Sequence, residues 1–154
     1  MKEKFKRAYM QTAKTFAELS SARRLQVGAI VVKDDRIISI GYNGMPAGWD
    51  NDCEDETVEL YSGYEGAIHR TVLKTKPEVL HAEMNSLMKL AKSNDSGNQA
   101  CMFVTHSPCL ECAKGIYQAG INEVYYQHDY RSTDGLDFLK KCGIKIEKID
   151  IEQG

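Results

Sequence analysis

No stretch of the 154-residue chain is apolar for long enough to cross a bilayer as a helix, which takes about 20 such residues. The opening Met1-Lys2-Glu3-Lys4-Phe5-Lys6-Arg7 lacks the apolar segment of a secretory signal. There is no excess of positive charge: 20 Lys and Arg stand against 22 Asp and Glu, a formal net charge of −2. Proteins that live on polyanionic nucleic acid carry a basic face and a high pI; the pI here is about 6.1. A small-molecule substrate is therefore expected, with no nucleic-acid polymer and no membrane as partner. Internal repeats and low-complexity tracts are also missing. The length and the 42% hydrophobic content fit one compact domain over residues 1–154. Cysteines are few, five in all. Two are accounted for below, and a reducing cytosol suits Cys53, Cys101 and Cys142, so a cytoplasmic location is expected.

What is present gathers in two short stretches, His81-Ala82-Glu83 and Pro108-Cys109-Leu110-Glu111-Cys112, with His81 and Cys109 28 positions apart. One imidazole and two thiolates are ligands that zinc prefers. A structural zinc site closes its tetrahedron with a fourth residue, whereas a catalytic site leaves that corner to water. No further Cys or His falls at ligand spacing inside either stretch. Glu83 lies two residues from His81, near enough to reach such a water without binding the metal. Zinc lowers the pKa of water from 15.7 toward about 7, and a nearby carboxylate can then move its proton. Both halves also sit where a helix begins, and the free N–H groups there favour thiolate over thiol. The plain alternative is a reduced, buried cysteine pair beside an unrelated histidine.

In chain order, apolar spacing predicts a helix over 4–20 and a β-hairpin from Val27–Val32 and Arg36–Ile40 joined at Asp34-Asp35. Gly41-Tyr42-Asn43-Gly44-Met45-Pro46-Ala47-Gly48 follows, and its glycines and proline forbid regular structure and permit close approach to a ligand. A connecting loop and a binding loop are equally good readings of that composition. Residues 49–79 are polar and acidic and read as a long loop, with a short helix over Ala67–Leu73. The charge run Asn51–Glu56 reads as solvated. Helices are predicted over 81–92, 108–119 and 134–142, alternating with strands over 101–105, 124–127 and 144–149. Strands separated by helices imply parallel crossovers, hence a mixed five-stranded sheet with helices on both faces.

The pattern resembles the cytidine deaminase-like superfamily along nearly the whole chain, and within it the deoxycytidylate deaminases. Three features carry the resemblance. Gln26-Val27-Gly28-Ala29 leads into the Gly41–Gly48 loop; His81-Ala82-Glu83-Met84-Asn85 includes the family's asparagine; and Ser107–Lys114 is followed by Tyr130-Arg131 and Gly135-Leu136. The loop, of the form Gly-Tyr-Asn-Gly-x-Pro-x-Gly, discriminates best. A helix before the final strand fits the branch in which the last two strands are parallel.

The resemblance implies an α/β fold of three layers and hydrolytic deamination of dCMP to dUMP and ammonia, a supply route to thymidylate. It implies zinc on His81, Cys109 and Cys112, with Glu83 shuttling protons between water, N3 of cytosine and the leaving amine. Asn43 looks like the residue that fixes sugar or base, and Tyr130 matches a position that contacts the nucleotide. Ser107 and Arg24 are candidates for base and phosphate, although Arg24 reads equally well as a surface charge. Family members form homohexamers, activated by dCTP with Mg2+ and inhibited by dTTP, which makes Gly44 and Met45 effector candidates. Some phage members hold a second, structural zinc. Cys53 and His69, with Glu78, are candidates for it, but Ser20 and Ser21 stand where an upstream cysteine belongs. Competing readings are a deaminase for cytosine, guanine, a riboflavin precursor or adenosine in tRNA, and a deaminase fold retained as a nucleotide sensor or assembly module. The acidic charge balance disfavours tRNA, and an intact Glu83 disfavours the sensor.

Overall fold

The spacing of apolar residues sets most of the architecture. The computed structural model describes residues 1–152, in the order α1 (Glu3–Ala17), β1 (Gly28–Lys33), β2 (Arg36–Tyr42), β3 (Glu54–Gly63), β4 (Gly66–Thr75), α2 (Ala82–Ala91), β5 (Cys101–His106), α3 (Leu110–Gln118), β6 (Glu123–His128), α4 (Asp134–Lys141) and β7 (Lys145–Lys148). Five strands form a mixed sheet in the order β2-β1-β5-β6-β7. Strand β1 runs antiparallel to β2 and β5, whereas β5, β6 and β7 are parallel, with α3 and α4 as the crossovers. Asp34 and Asp35 both adopt positive φ, the twist that a two-residue hairpin turn prefers.

Side chains alternate between two apolar layers. Met10 and Ala13 of α1 pack on Ile30, Val32, Phe103 and Tyr125 on one face. Leu87, Leu90, Ile116, Leu136 and Leu139 of α2, α3 and α4 cover Val31, Val104 and Val124 on the other. The central strands are buried on both faces and so read as continuous apolar runs. Helix α2 also caps the edge strand β2: the side chain of Asn85 donates to the carbonyl of Tyr42 at 2.8 Å, and Lys89 Nζ to that of Ile40 at 2.7 Å. Several close contacts need glycine, and two of them involve the helix starts that carry the motifs. A Cβ on Gly41 would lie 2.5 Å from the carbonyl oxygen of Ala82 in α2, and one on Gly135 would lie 2.1 Å from that of Pro108. Gly135 thereby lets α4 press directly on the start of the Pro108–Cys112 stretch.

The segment between β2 and α2 differs from the sequence expectation. Instead of a long loop with a helix at Ala67–Leu73, it forms a two-stranded arm, β3–β4, paired from Glu54↔Thr75 to Gly63↔Gly66. Its strands pack extensively on each other rather than on the body of the protein. Val58, Leu60 and Ile68 are exposed along it. The alternation is hard to see because neither face is covered, so neither face is uniformly apolar. The run Asn51–Glu56 is not wholly solvated either, since Glu54 is only 2% exposed.

Candidate active site

The two stretches meet at the carboxyl ends of the central strands, where open α/β sheets bind their ligands. His81 and Cys109 occupy the N-cap positions of α2 and α3, and neither side chain caps its own helix. Both turn instead toward Cys112. His81 Nδ1 lies 3.7 Å from Cys109 Sγ and 3.4 Å from Cys112 Sγ, and the three ligand atoms all fall within 4.8 Å of one another. With Zn–N near 2.1 Å and Zn–S near 2.3 Å, a tetrahedral ion separates such N and S atoms by roughly 3.6 Å. The residues therefore fit zinc. Electrostatics agree: hydrogen bonds from Cys112 and then His81 pull the Cys109 thiol down to about 4, which makes it a thiolate at neutral pH. Cys112 holds the shared proton, and its thiol is pushed up by that bond and by burial.

Glu83, in the first turn of α2, is 4% exposed. Burial pushes its carboxyl above the usual range, while His81 nearby works the other way. A carboxyl raised in this manner holds a proton more readily than a solvated one, which suits a group that must take and return protons. Beside it opens a cavity of about 670 Å³, which also exposes His81 and Cys109.

The substrate-binding candidates Arg24, Asn43, Ser107 and Tyr130 all line this cavity, as does Cys53. Their first partners are protein groups. Asn43 accepts from the Val27 N–H and donates to the Leu25 carbonyl, both at 2.8 Å, so its amide orders the wall. Ser107 Oγ accepts from the Tyr130 N–H at 2.7 Å and holds that tyrosine at the rim. Arg24 Nη1 donates to Thr75 Oγ1 at 3.0 Å. Beyond Asn43 the Gly-rich loop faces elsewhere: Gly44 and Met45 line a second cavity of about 730 Å³, together with Asn85, Lys89 and Lys92 of the α2 side. Cys53 and His69 are not brought together. Cys53 is buried next to the first rung of the arm, and His69 pairs with Leu60 six rungs farther out, fully in solvent. Glu78 is exposed in the connection to α2. Among the described residues, only His81, Cys109 and Cys112 form a metal-ligand cluster, so the expected second zinc site lacks its ligand set.

Glu54, Thr75, His106 and His128 also line the cavity and were not foreseen. Glu54 was hidden in a charge run. The two histidines end β5 and β6, pair across the sheet and place their rings 5.0 Å apart. Thr105 Oγ1 accepts the Gly28 N–H at 3.1 Å and shares a 3.0 Å hydrogen bond with His106 Nδ1, which fixes the ring's orientation. The usable signal was positional, since both residues follow apolar strand runs.

Comparison with known proteins gives the same picture. The family model described as the cytidine and deoxycytidylate deaminase zinc-binding region matches residues 3–128. The chain is 34% identical over 146 residues to ComE operon protein 2 of Bacillus subtilis, covering 94% of this chain and 71% of that one. It is 39% identical over 130 residues to human deoxycytidylate deaminase, covering 82% and 66%. Among solved structures, the dCMP deaminase of cyanophage S-TIM5, crystallised with dCMP and dUMP, is similar with a TM-score of 0.83 at 45% identity, over 97% of this chain and 99% of that one. The chain belongs to the cytidine and deoxycytidylate deaminase family of zinc-binding enzymes.

Proposed function

We propose that the protein is a hydrolase that converts dCMP and water to dUMP and ammonia. The observation that carries this reading is Glu83, a buried carboxyl sharing one cavity with His81 and Cys109, two of the three metal ligands. Support for the nucleotide comes from the cationic Arg24 and the aromatic Tyr130 on the same wall, and from the likeness to the cyanophage enzyme. Zinc held by His81, Cys109 and Cys112 supplies Lewis acidity, bringing the pKa of water toward about 7. Glu83 accepts one proton of the water that attacks C4 and delivers it to N3 of the ring; it then takes the second proton from the same oxygen and passes it to the departing amine, so that ammonia leaves as the C4–N bond breaks. Tyr130, fixed by Ser107, faces the nucleotide, and Arg24 receives the phosphate. Asn43 holds the wall against sugar or base.

The second cavity, at Gly44 and Met45, is the seat we assign to a nucleotide effector, with dCTP and Mg2+ activating and dTTP inhibiting. Lys89 and Lys92 beside it suit a triphosphate. Exposed apolar side chains along the β3–β4 arm support assembly, which we read as a homohexamer. We take residues 1–154 as one catalytic domain. None of the five cysteines is in a disulfide, which suits the cytoplasm. The deciding experiment is a steady-state assay of ammonia release from dCMP by the zinc-loaded protein, with and without dCTP and dTTP. Absence of turnover with dCTP present refutes the activity; turnover indifferent to both triphosphates refutes the regulation alone.

A further inference from the structure

The β3–β4 arm is anchored to the active-site cavity through a single rung. Its innermost pair is Glu54↔Thr75, the first residue of β3 and the last of β4, and both line the cavity. Each grips Arg24 differently. Glu54 Oε1 accepts the backbone N–H of Arg23 at 2.8 Å and that of Arg24 at 3.1 Å. Thr75 Oγ1 accepts from the Arg24 guanidinium at 3.0 Å. Arg23 adds a second hold outside the cavity, through ion pairs with Asp52 and Glu56 and a 3.5 Å approach of Nε to Glu54 Oε2.

This is an unusual investment for a surface arginine. Long cationic side chains lose rotamer freedom when fixed, and a single exposed contact rarely compensates for that loss. Here both backbone and guanidinium of one residue are held by one rung, and the carboxylate that holds the backbone is almost wholly buried. One guanidinium N–H is committed to Thr75, which leaves the others free for a ligand. An arginine fixed in this way is ready to receive an anion without further ordering, and affinity gained by such preorganisation appears in ligand binding rather than in the chemical step.

We infer that Glu54 and Thr75 form a positioning clamp that fixes Arg24 in the cavity to receive the anionic group of the ligand. The inference rests on the reading of the protein as a nucleotide deaminase, and the clamp contacts phosphate only through Arg24. The arm therefore does more than bridge β2 to α2: its first rung is part of the wall that recognises a phosphomonoester.

A double-mutant cycle on dCMP turnover by the zinc-loaded enzyme tests the clamp. Thr75→Val should raise KM for dCMP about threefold to tenfold, the effect of one hydrogen bond, with kcat unchanged. Thr75→Ser, which restores the acceptor, should recover wild-type KM. In an Arg24→Ala background, itself raised in KM, Thr75→Val should have no further effect, because the partner it acts through is gone. Glu54→Ala should raise KM in the wild-type background and have no further effect in the Arg24→Ala background. The clamp is overturned if Thr75→Val leaves KM unchanged, if its effect persists without Arg24, or if Arg24→Ala does not raise KM. Failure of the wild type to deaminate dCMP is a different outcome, which removes the functional reading itself and the clamp with it.

Discussion

Cys112 Sγ lies 3.4 Å from Nδ1 of His81, across 31 positions of sequence. The contact joins the first turns of α2 and α3, so a bound metal cross-links two helices that otherwise meet through a few apolar side chains. Metal and fold are therefore coupled. Chelation should lower the thermal unfolding midpoint as well as abolish turnover, and Cys112→Ala should bind substoichiometric zinc. Metal analysis alongside calorimetry checks this; a Cys112→Ala protein with one tightly held zinc per chain refutes the ligand set.

In the reaction proposed above, Glu83 moves protons while His81, Cys109 and Cys112 hold the metal. Glu83→Gln should retain zinc and lose at least about a hundredfold in kcat, the low end for general acid–base groups. Stopped-time ammonia assays on protein of verified zinc content give the answer. Unchanged turnover would mean that another group carries the proton.

The approach of α4 to the metal stretch makes a separate prediction. A Cβ at Gly135 would sit 2.1 Å from the Pro108 carbonyl oxygen and 2.9 Å from the Cys109 carbonyl carbon, both backbone atoms that cannot swing away. Gly135→Ala should cost about 1–3 kcal/mol of stability, the usual range for overpacking, and weaken zinc binding because Cys109 must shift. Urea unfolding of the zinc-loaded and zinc-free forms measures both effects. An alanine variant as stable as the parent contradicts the contact.

Acid should act through His106. Burial, and then the neighbouring His128, pull its pKa from 6.5 down to about 4. Between those values the unfolded chain binds the proton and the folded chain does not, so stability falls as pH drops through that window and is fully retained above it. His106→Gln has no such proton to refuse. The loss of unfolding midpoint between pH 7 and pH 5 should be smaller in the variant than in the wild type. Parallel declines would show that the loss arises at other groups.

These residues differ in how visible they were in the sequence. His81, Glu83, Cys109 and Cys112 stand in two short motifs at helix starts, where spacing and chemistry speak together. The central strands were legible for a similar reason, because Val31, Val104 and Val124 belong to runs buried on both faces. The arm was not legible. Ile68, Arg70 and Val72 share one of its faces and Ala67, His69 and Thr71 the other, so burial imposes no contrast on the alternation. The available signal was the Gly63-Tyr64-Glu65-Gly66 turn, with Thr57-Val58 before it and the β-branched Ile68, Thr71, Val72 and Thr75 after it. Glu54 left no trace at all. Its burial follows from two backbone N–H groups about 30 positions upstream, and no local pattern encodes a partner of that kind.

Asn85 and Lys89 have a consequence for assembly. By occupying the outward carbonyls of Tyr42 and Ile40, they leave β2 without the bare acceptors that an incoming strand would need. The opposite border, β7, is four residues long and bears Lys145, Glu147 and Lys148. Both margins of the five-stranded sheet are thus closed to continuation into a neighbouring copy. The assembly proposed above would then use helices, loops or the projecting arm, and the same closure guards the sheet against edge-to-edge aggregation.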